Sequence, residues 1–562
     1  MRFIVTALTL FGAVLANVQP SSRCKTFPGD KAWPSKAEWN NFNRTVGGQL
    51  VATVPLGTPC HGASFDNATC ESLKSQWQYE KIHYESSSSV MAPFFANQSC
   101  DPFQPRDSPC ELGNYVRYAV NASKSSDIQR AIAFASSKDI RLVIRNTGHD
   151  YRGRSTGAGS LAVWTHHLKD ISHITAYKGS GYSGAAFKLG AGVQGFEIMA
   201  AARDKGLVVV GGECPTVGIA GGYTQGGGHS AISTSFGLAA DNVLSWEVVT
   251  ASGKLVNANK DQNPDLYWAL NGGGGSTYGV VVSMTVKAHK EAVFGGASLS
   301  FFTTNNAQDV FYDAIEAFHE ELPAMVDAGT MVVHYFTSSF FMIAPLNAYN
   351  KTAAEVKTIL APFIAKLDAK SVNYTVNYSE FDTYYKHYDK YFGPLPLGNI
   401  QVGIAQYGAR LIPRSVVGNI TETWKAIVEK GVTWIGVGTN VKSFGSEKTT
   451  SVHPAWRNAI VHATLTLPWN FTAPWSEVIA TQEKMTNVIQ PLVEAATPGS
   501  GSYVNEADWR QPNFQTTFWG SNYNKLLSIK RKWDPSSLFY ATVGVGSEAW
   551  TVRSDGRMCR AR

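Results

Sequence analysis

Gly211-Gly212-Glu213-Cys214-Pro215-Thr216-Val217-Gly218-Ile219-Ala220-Gly221-Gly222-Tyr223-Thr224-Gln225-Gly226-Gly227-Gly228-His229 spends eight of its nineteen positions on glycine. A structural turn needs one or two. So many glycines let a backbone approach a ligand closely and aim N–H groups at anionic oxygens. A second run, Asn271-Gly272-Gly273-Gly274-Gly275-Ser276-Thr277-Tyr278-Gly279, stands between a helical stretch and a strand. Together the two runs point to a long ligand with a pyrophosphate lying across the domain. A third stretch, Gly190-Ala191-Gly192-Val193-Gln194-Gly195, is a literal G-x-G-x-x-G, with Glu213 18 residues beyond. It imitates a dinucleotide fingerprint, but the chain lacks the run of βαβ units that such a fold needs. A tight turn packing a helix on a sheet is the expectation there.

Working outward, strand-like runs appear at 140–145, 161–165, 186–190, 207–210, 246–250 and 280–286. Helical spacing lies between some of them, including Ile128, Ala131, Ile132 and Ala135 behind Asp127 as N-cap. From about 295 to 505 Tyr, Phe and Trp increase and the glycine runs disappear. Strand-like segments at 330–336, 401–407 and 460–466 alternate there with helical stretches at 307–322, 352–366 and 475–495. The aromatic stretch 381–392 reads either as a stacking platform for sugar rings or as packing at a domain interface.

The ends of the chain speak of compartment. Residues 1–16 show a basic start, a short apolar run and small residues before Asn17, the pattern of a cleaved secretory signal. Residues 17–110 are rich in Pro, Ser and Cys and read as a disulfide-tied extension. Of 7 cysteines, Cys24, Cys60, Cys70, Cys100, Cys110 and Cys559 sit towards the two ends and allow three bridges in 15 pairings. Cys214 is left over, inside the glycine-rich stretch. Asn-x-Ser/Thr sequons at Asn43, Asn67, Asn97, Asn121, Asn350, Asn373, Asn377, Asn419 and Asn470 fit a secreted glycoprotein. The net charge of +6 is spread along the chain, which excludes the concentrated basic stripe of a nucleic-acid binder. Beyond the leader no apolar run is long enough for a membrane span. The partner expected is a small molecule, with the protein as a monomer.

Arg145-Asn146-Thr147-Gly148-His149-Asp150 with Gly153 and Ser155, the Cys-Pro-Thr-Val-Gly segment, and the glycine run before Val280 occur in one order with Tyr503-Val504-Asn505 and Trp519-Gly520-Ser521-Asn522-Tyr523. In that order they resemble the berberine-bridge-enzyme-like branch of the vanillyl-alcohol-oxidase flavoproteins, over roughly 111–562. Within it the chain looks closest to secreted fungal isoamyl-alcohol-oxidase-like members. The resemblance implies an α+β fold: a two-part PCMH-type FAD-binding domain (111–294 and 506–562) around a substrate domain (295–505) with an antiparallel sheet flanked by helices. It implies FAD joined twice, through His149 to the 8α-methyl and through Cys214 to C6. It also implies cofactor contacts from Arg145, Asn146, Thr147, Gly148, Asp150 and Ser155. Further contacts are expected from Val217, Gly218, Gly221, Gly222, Gly228, Gly279, Val280, Asn522 and Tyr523.

Alcohol oxidation needs a base for the hydroxyl proton. Related sugar oxidases carry a tyrosine after the Tyr-x-Asn motif, whereas this chain has Glu506. A carboxylate serves as a base if burial lifts its pKa toward the working pH. Asp508 and Tyr503 are the substitutes for that role. In the resembling family a valine three residues after the cysteine goes with oxidase behaviour, and Val217 holds that place. His166, His167 and His229 are the histidines that invite a metal reading, but they lack His-Glu-x-x-His or paired Cys-x-x-Cys spacing, so no metal is expected. The function expected is a secreted oxidase that turns an alcohol over with O2 to give H2O2. Its alternatives are a carbohydrate oxidase of the same fold, and a flavin-carrying binding or defence glycoprotein with little turnover.

Overall fold

The computed structural model describes residues 24–179 and 181–561. The leader expected at 1–16 lies outside the described residues. Three sheets position the site. The first runs Leu50–Ala52, Tyr118–Asn121, Leu161–Trp164, Leu142–Arg145, with the last three strands parallel and the first antiparallel to its neighbour. The helix Ser125–Ser137 covers it, burying Ile128, Ala131, Ile132 and Ala135 at 2% exposure or less. Full burial of each isoleucine contributes roughly 1.5–3 kcal/mol. Asp127 is not the N-cap. It sits in the first turn of the helix, and its carboxylate accepts from Ser123 N and Oγ at 3.2 Å, tying down the approach to the helix.

The second sheet is antiparallel, in the order Ile171–Gly179, Tyr182–Gly190, Val280–Lys287, Val243–Val249, Leu255–Ala258. The glycine fingerprint at 190–195 joins it to the helix Gly195–Arg203 as a packing turn. A Cβ on Gly190 would stand 2.3 Å from Leu168 O, and one on Gly192 2.0 Å from His166 O. These glycines admit neighbouring backbone.

The third sheet has seven antiparallel strands: Tyr374–Phe381, Phe294–Phe302, Phe340–Tyr349, Met331–Phe336, Thr433–Gly438, Ala459–Pro468 and Ala405–Pro413. Helices Gln308–Asp327, Ala353–Ala369 and Thr421–Val428 cover one face, and Phe311, Phe318, Leu360, Phe363 and Trp424 form the core between. Four of these strands (294–302, 340–349, 374–381 and 433–438) were not expected from the sequence. Strands 294–302 and 433–438 are largely buried on both faces and show little period-two signal, whereas 374–381 is an edge strand whose half-buried and exposed positions alternate. Strand Ala459–Pro468 shows what the two faces do. Val461, Ala463, Leu465 and Leu467 pack under the helices, while His462 and Thr464 point the other way.

Helix Tyr523–Trp533 returns the chain to the first core through Leu526 and Ile529. The cysteines left open by sequence pair as Cys24–Cys559, Cys60–Cys70 and Cys100–Cys110, and Cys214 is free. No helix among the described residues is long and apolar enough to cross a membrane.

Candidate active site

A cleft enclosing roughly 680 Å³, open to solvent, runs between the loop 146–155 that leaves strand Leu142–Arg145, the stretch 217–225, and the run 275–281. Its glycines are required by close approach. Gly148 lies at φ +86° against the Arg145 guanidinium, where a Cβ would meet Nη1 at 2.6 Å. A Cβ on Gly218 would stand 2.0 Å from Asn146 Oδ1, and one on Gly275 2.9 Å from Gly222 Cα. Gly222 itself faces open space. Asn146 Oδ1 and Gln225 Oε1, both from cleft-lining residues, are buried without a hydrogen-bond partner. A backbone-lined groove with unsatisfied acceptors fits an elongated, polar, nucleotide-bearing ligand.

His149 and Cys214 stand on opposite sides of one hydroxyl. His149 Nε2 shares a hydrogen bond of 2.8 Å with Thr216 Oγ1, and Cys214 Sγ lies 3.4 Å from the same oxygen. The Cys214 thiol also donates to Glu80 Oε1 at 3.8 Å. Burial, helped by His83 and Arg145, depresses His149 to about 3, so its imidazole is neutral. Burial and the Glu80 carboxylate push the Cys214 thiol up to about 12. The cysteine loop is held from the third sheet's side: Tyr388, on helix Tyr384–Phe392, donates to Gly212 O at 2.9 Å and Glu213 O at 2.7 Å. Of the two readings of 381–392, packing describes Tyr384, His387, Tyr388 and Phe392, all buried on that helix.

Across the site, Glu506 is bracketed by two imidazoles. His229 Nε2 donates to Glu506 Oε1 and His462 Nε2 to Oε2, each at 3.0 Å, with Thr464 Oγ1 adding a bond at 3.3 Å. His229 Nδ1 donates to Glu213 Oε1 at 3.1 Å. Burial alone would depress His229, but Glu506 and Glu213 outweigh it and raise the imidazole to about 10. Burial likewise favours a neutral Glu506, yet His229 and His462 hold it well below the ordinary carboxylate range. The expectation that burial lifts Glu506 is therefore reversed: two imidazoles override desolvation. His462 is lowered by burial and neutral, with Nδ1 unpartnered. Ligand atoms of His229, His462 and Glu506 lie within 4.8 Å of one another.

The structure brings together most of the expected cofactor residues. Asn146, Thr147, Gly148, His149, Asp150 and Ser155 line the cleft from one side, and Val217, Gly218, Gly221, Gly222 and Gly279 from the other. Asp150 organises its own loop, accepting from the backbone N–H groups of Arg152, Arg154 and Ser155. Arg145 lies beneath, donating to His83 O at 2.8 Å. Gly228 N donates to the Tyr503 hydroxyl at 3.1 Å, on the Glu506 side. Val280, Asn522 and Tyr523 are not among the lining residues: Asn522 donates to Val452 O at 3.0 Å and Tyr523 to Glu548 at 2.5 Å. Asp508 accepts from Gln482 Nε2 at 2.8 Å, apart from the imidazole pair, and burial raises its carboxyl. Tyr503, buried, accepts from Asn505 Nδ2 at 2.8 Å and packs edge-on to His229 and His462. Asn505 also donates to Gly222 O at 2.8 Å, joining this cluster to the cleft. Sequence reasoning assigned no role to Thr216, His462, Glu80 or the Tyr151–Tyr407 stack, whose ring centroids are 3.9 Å apart. Thr216 lay in the quoted stretch; the others carry no local motif.

Comparison with known proteins agrees with this geometry. Residues 116–259 match the model of an FAD binding domain family, and 502–546 that described as berberine and berberine like. The chain is 61% identical over 560 residues to the FAD-linked oxidoreductase ZEB1 of Gibberella zeae, covering 100% of this chain and 99% of that one. It is 41% identical over 577 residues to the VAO-type flavoprotein oxidase VAO615 of Thermothelomyces thermophilus, covering 100% and 99%. The crystal structure of the VAO-type flavoprotein MtVAO615 from Myceliophthora thermophila C1 superimposes with a TM-score of 0.92 at 40% identity, covering 96% of this chain and 100% of that one.

Proposed function

The chain belongs to the VAO-type, berberine-bridge-like FAD-linked oxidoreductases, and from that premise we propose a secreted oxidase with FAD joined to both His149 and Cys214. Its reaction oxidises a hydroxyl-bearing small molecule with O2 as acceptor. The observation that carries this reading is the pairing of His149 and Cys214 on Thr216 at one side of the site with Glu506 between His229 and His462 at the other. Held by the cleft-lining residues, FAD would supply the acceptor for a substrate hydride and a route for the electrons to dioxygen.

The chain's own residues handle the proton. Glu506 fills the base role by being ionised at every working pH rather than by a raised pKa: it takes the hydrogen bond of the substrate hydroxyl and receives its proton in the transition state. His229, cationic between Glu213 and Glu506, keeps that carboxylate ionised and fixed; neutral His462 fixes the second oxygen. Tyr503 and Asn505 connect this cluster to Gly222 and set its distance from the cleft. Val217 lines the cleft with a small side chain that leaves O2 room. The disulfide bridges support export, and Asn67, Asn97, Asn350, Asn373, Asn377, Asn419 and Asn470 are exposed where glycans would attach.

The test is peroxide release across aliphatic alcohols, aromatic alcohols and oligosaccharides. One peroxide per carbonyl formed from an alcohol supports the proposal. Turnover confined to oligosaccharides would make the protein a carbohydrate oxidase, and failure of every class to reduce the flavin would overturn turnover altogether. Flavin mass on both the His149 and Cys214 peptides is expected after denaturation; full release of flavin overturns the double link.

A further inference from the structure

The Cys214 thiol lies buried against a carboxylate that comes from the disulfide-tied extension, outside the flavin-type sheets. Glu80 is 1% exposed and stands between the two short disulfide loops, Cys60–Cys70 and Cys100–Cys110. Its backbone oxygen starts the turn Lys81–Tyr84, accepting from His83 N at 3.0 Å and Tyr84 N at 2.9 Å. That turn is locked in place. The His83 ring bonds Ser89 Oγ and Trp77 O at 2.7 Å each, and Arg145 Nη2 donates to His83 O at 2.8 Å. Arg145 ends the strand from which the His149 loop departs. The extension is thus keyed to the base of the flavin loop, and Glu80 Oε1 receives the Cys214 thiol at 3.8 Å. From there Cys214 Sγ, Thr216 Oγ1 and His149 Nε2 form a continuous line of contacts at 3.4 and 2.8 Å.

We propose that Glu80 is the proton acceptor that makes Cys214 nucleophilic during attachment of the flavin at C6. The inference rests on the double-link reading above. A buried thiol is a poor nucleophile because a lone thiolate there is strongly disfavoured. Burial raises the Glu80 carboxyl too, against its own backbone N–H and the thiol. With the Glu80 carboxyl ionised the pair holds one negative charge, so moving the proton from Sγ to Glu80 buries no additional charge. In the step, the Sγ–H bond breaks and its proton goes to Glu80, while the sulfur lone pair forms the Sγ–C6 bond. The hydrogen on C6 is lost as a proton, and the two electrons released by joining S–H and C–H into S–C pass through the ring system to dioxygen. Overall, thiol, ring C–H and O2 give the thioether and H2O2. Thr216 holds the sulfur during this step and shares its hydroxyl with His149, so the two attachment points are set by one side chain.

The test compares the protein as secreted with Glu80→Gln, Cys214→Ala and the double variant, scoring flavin mass on the His149 and Cys214 peptides and flavin fluorescence on denaturing gels. In Glu80→Gln the Cys214 peptide should lose at least about tenfold of its flavin, while the His149 peptide keeps its own. In the Cys214→Ala background, adding Glu80→Gln should leave the His149-linked flavin unchanged. Should Glu80→Gln fail to be secreted, Glu80→Asp, which retracts the carboxylate, should show partial linkage at Cys214 and full linkage at His149. Native occupancy of Cys214 in Glu80→Gln overturns the proposal. So does loss of the His149 link on adding Glu80→Gln to Cys214→Ala, because Glu80 would then serve flavin binding at large. Absence of flavin on the native Cys214 peptide would instead refute the double link itself.

Discussion

His149 and His229 are both buried histidines at one site, and they are driven in opposite directions. His149, whose neighbours include His83 and Arg145, is held neutral near 3. His229, between Glu213 and Glu506, is held cationic near 10. Burial acts on both in the same sense, and the carboxylates decide the difference. His149 is thus a neutral imidazole and Cys214 a protonated thiol, whereas around Glu506 a charged array holds a proton in place.

The strongest way to break this contrast is Glu506→Gln. It removes the carboxylate proposed to receive the substrate proton and one of the two that charge His229. A fall in kcat/KM of about 10²–10⁴-fold is expected, read from peroxide initial rates. Retention of more than a tenth of native activity would remove Glu506 from the base role.

Next comes the neutral side. Gly218→Ala places a Cβ 2.0 Å from Asn146 Oδ1, in the wall of the cleft. Overpacking of this kind costs about 1–3 kcal/mol, so a lower Tm and reduced flavin content are expected, measured by thermal unfolding and by flavin-to-protein absorbance. Unchanged values for both would show that Asn146 can move aside and that the cleft is less rigid than its glycines suggest.

The opposite shifts of His229 and His83 give stability a limb on each side of neutrality. His229 is raised, so its contribution to stability is complete below about pH 6.5 and is lost as pH climbs toward about 10. His83, beneath the flavin loop, is lowered to about 4 by burial first, so the unfolded chain takes its proton more readily. Stability there is held above pH 6.5 and lost as pH falls. Tm should therefore decline on both sides of a neutral plateau. Glu213→Gln should flatten the alkaline limb and leave the acid limb in place; an alkaline limb of native steepness in that variant would detach it from His229.

The smallest effect is expected at Asp508→Asn. That carboxyl faces Gln482 and Arg510 N, away from the imidazole pair. Its kcat should change by less than about threefold, under ~0.7 kcal/mol of barrier. A loss on the scale of Glu506→Gln would move the base to Asp508.

Legibility in the sequence followed locality. The cleft was readable because its glycines and the His149 loop are contiguous segments whose backbone requirements are written at each position. Cys214 stood out as the odd thiol. Asn522 and Tyr523 were expected at the cofactor because they sit in a motif; in the fold Asn522 ties the C-terminal segment to Val452 O, and the Tyr523 hydroxyl meets Glu548 and Gly546 N. His462 shares the polar face of an alternating strand with Thr464 and Thr466, but nothing local says that this face meets Glu506, which only the fold brings to it. The pairing of Cys24 with Cys559, 535 residues apart, has no local signal either.

The sequence by itself determined the flavin-type fold, the glycine cleft and the two residues proposed as attachment points, His149 and Cys214, because each lies in a short contiguous segment whose backbone geometry is written locally. Tertiary structure decided the charge state of every group that matters. Glu213, His229, His462 and Glu506 come from separate segments, and the sign of a buried group's pKa shift depends on which charges the fold brings within about 4–6 Å. The same holds for Glu80, which only the docking of the extension carries to Cys214.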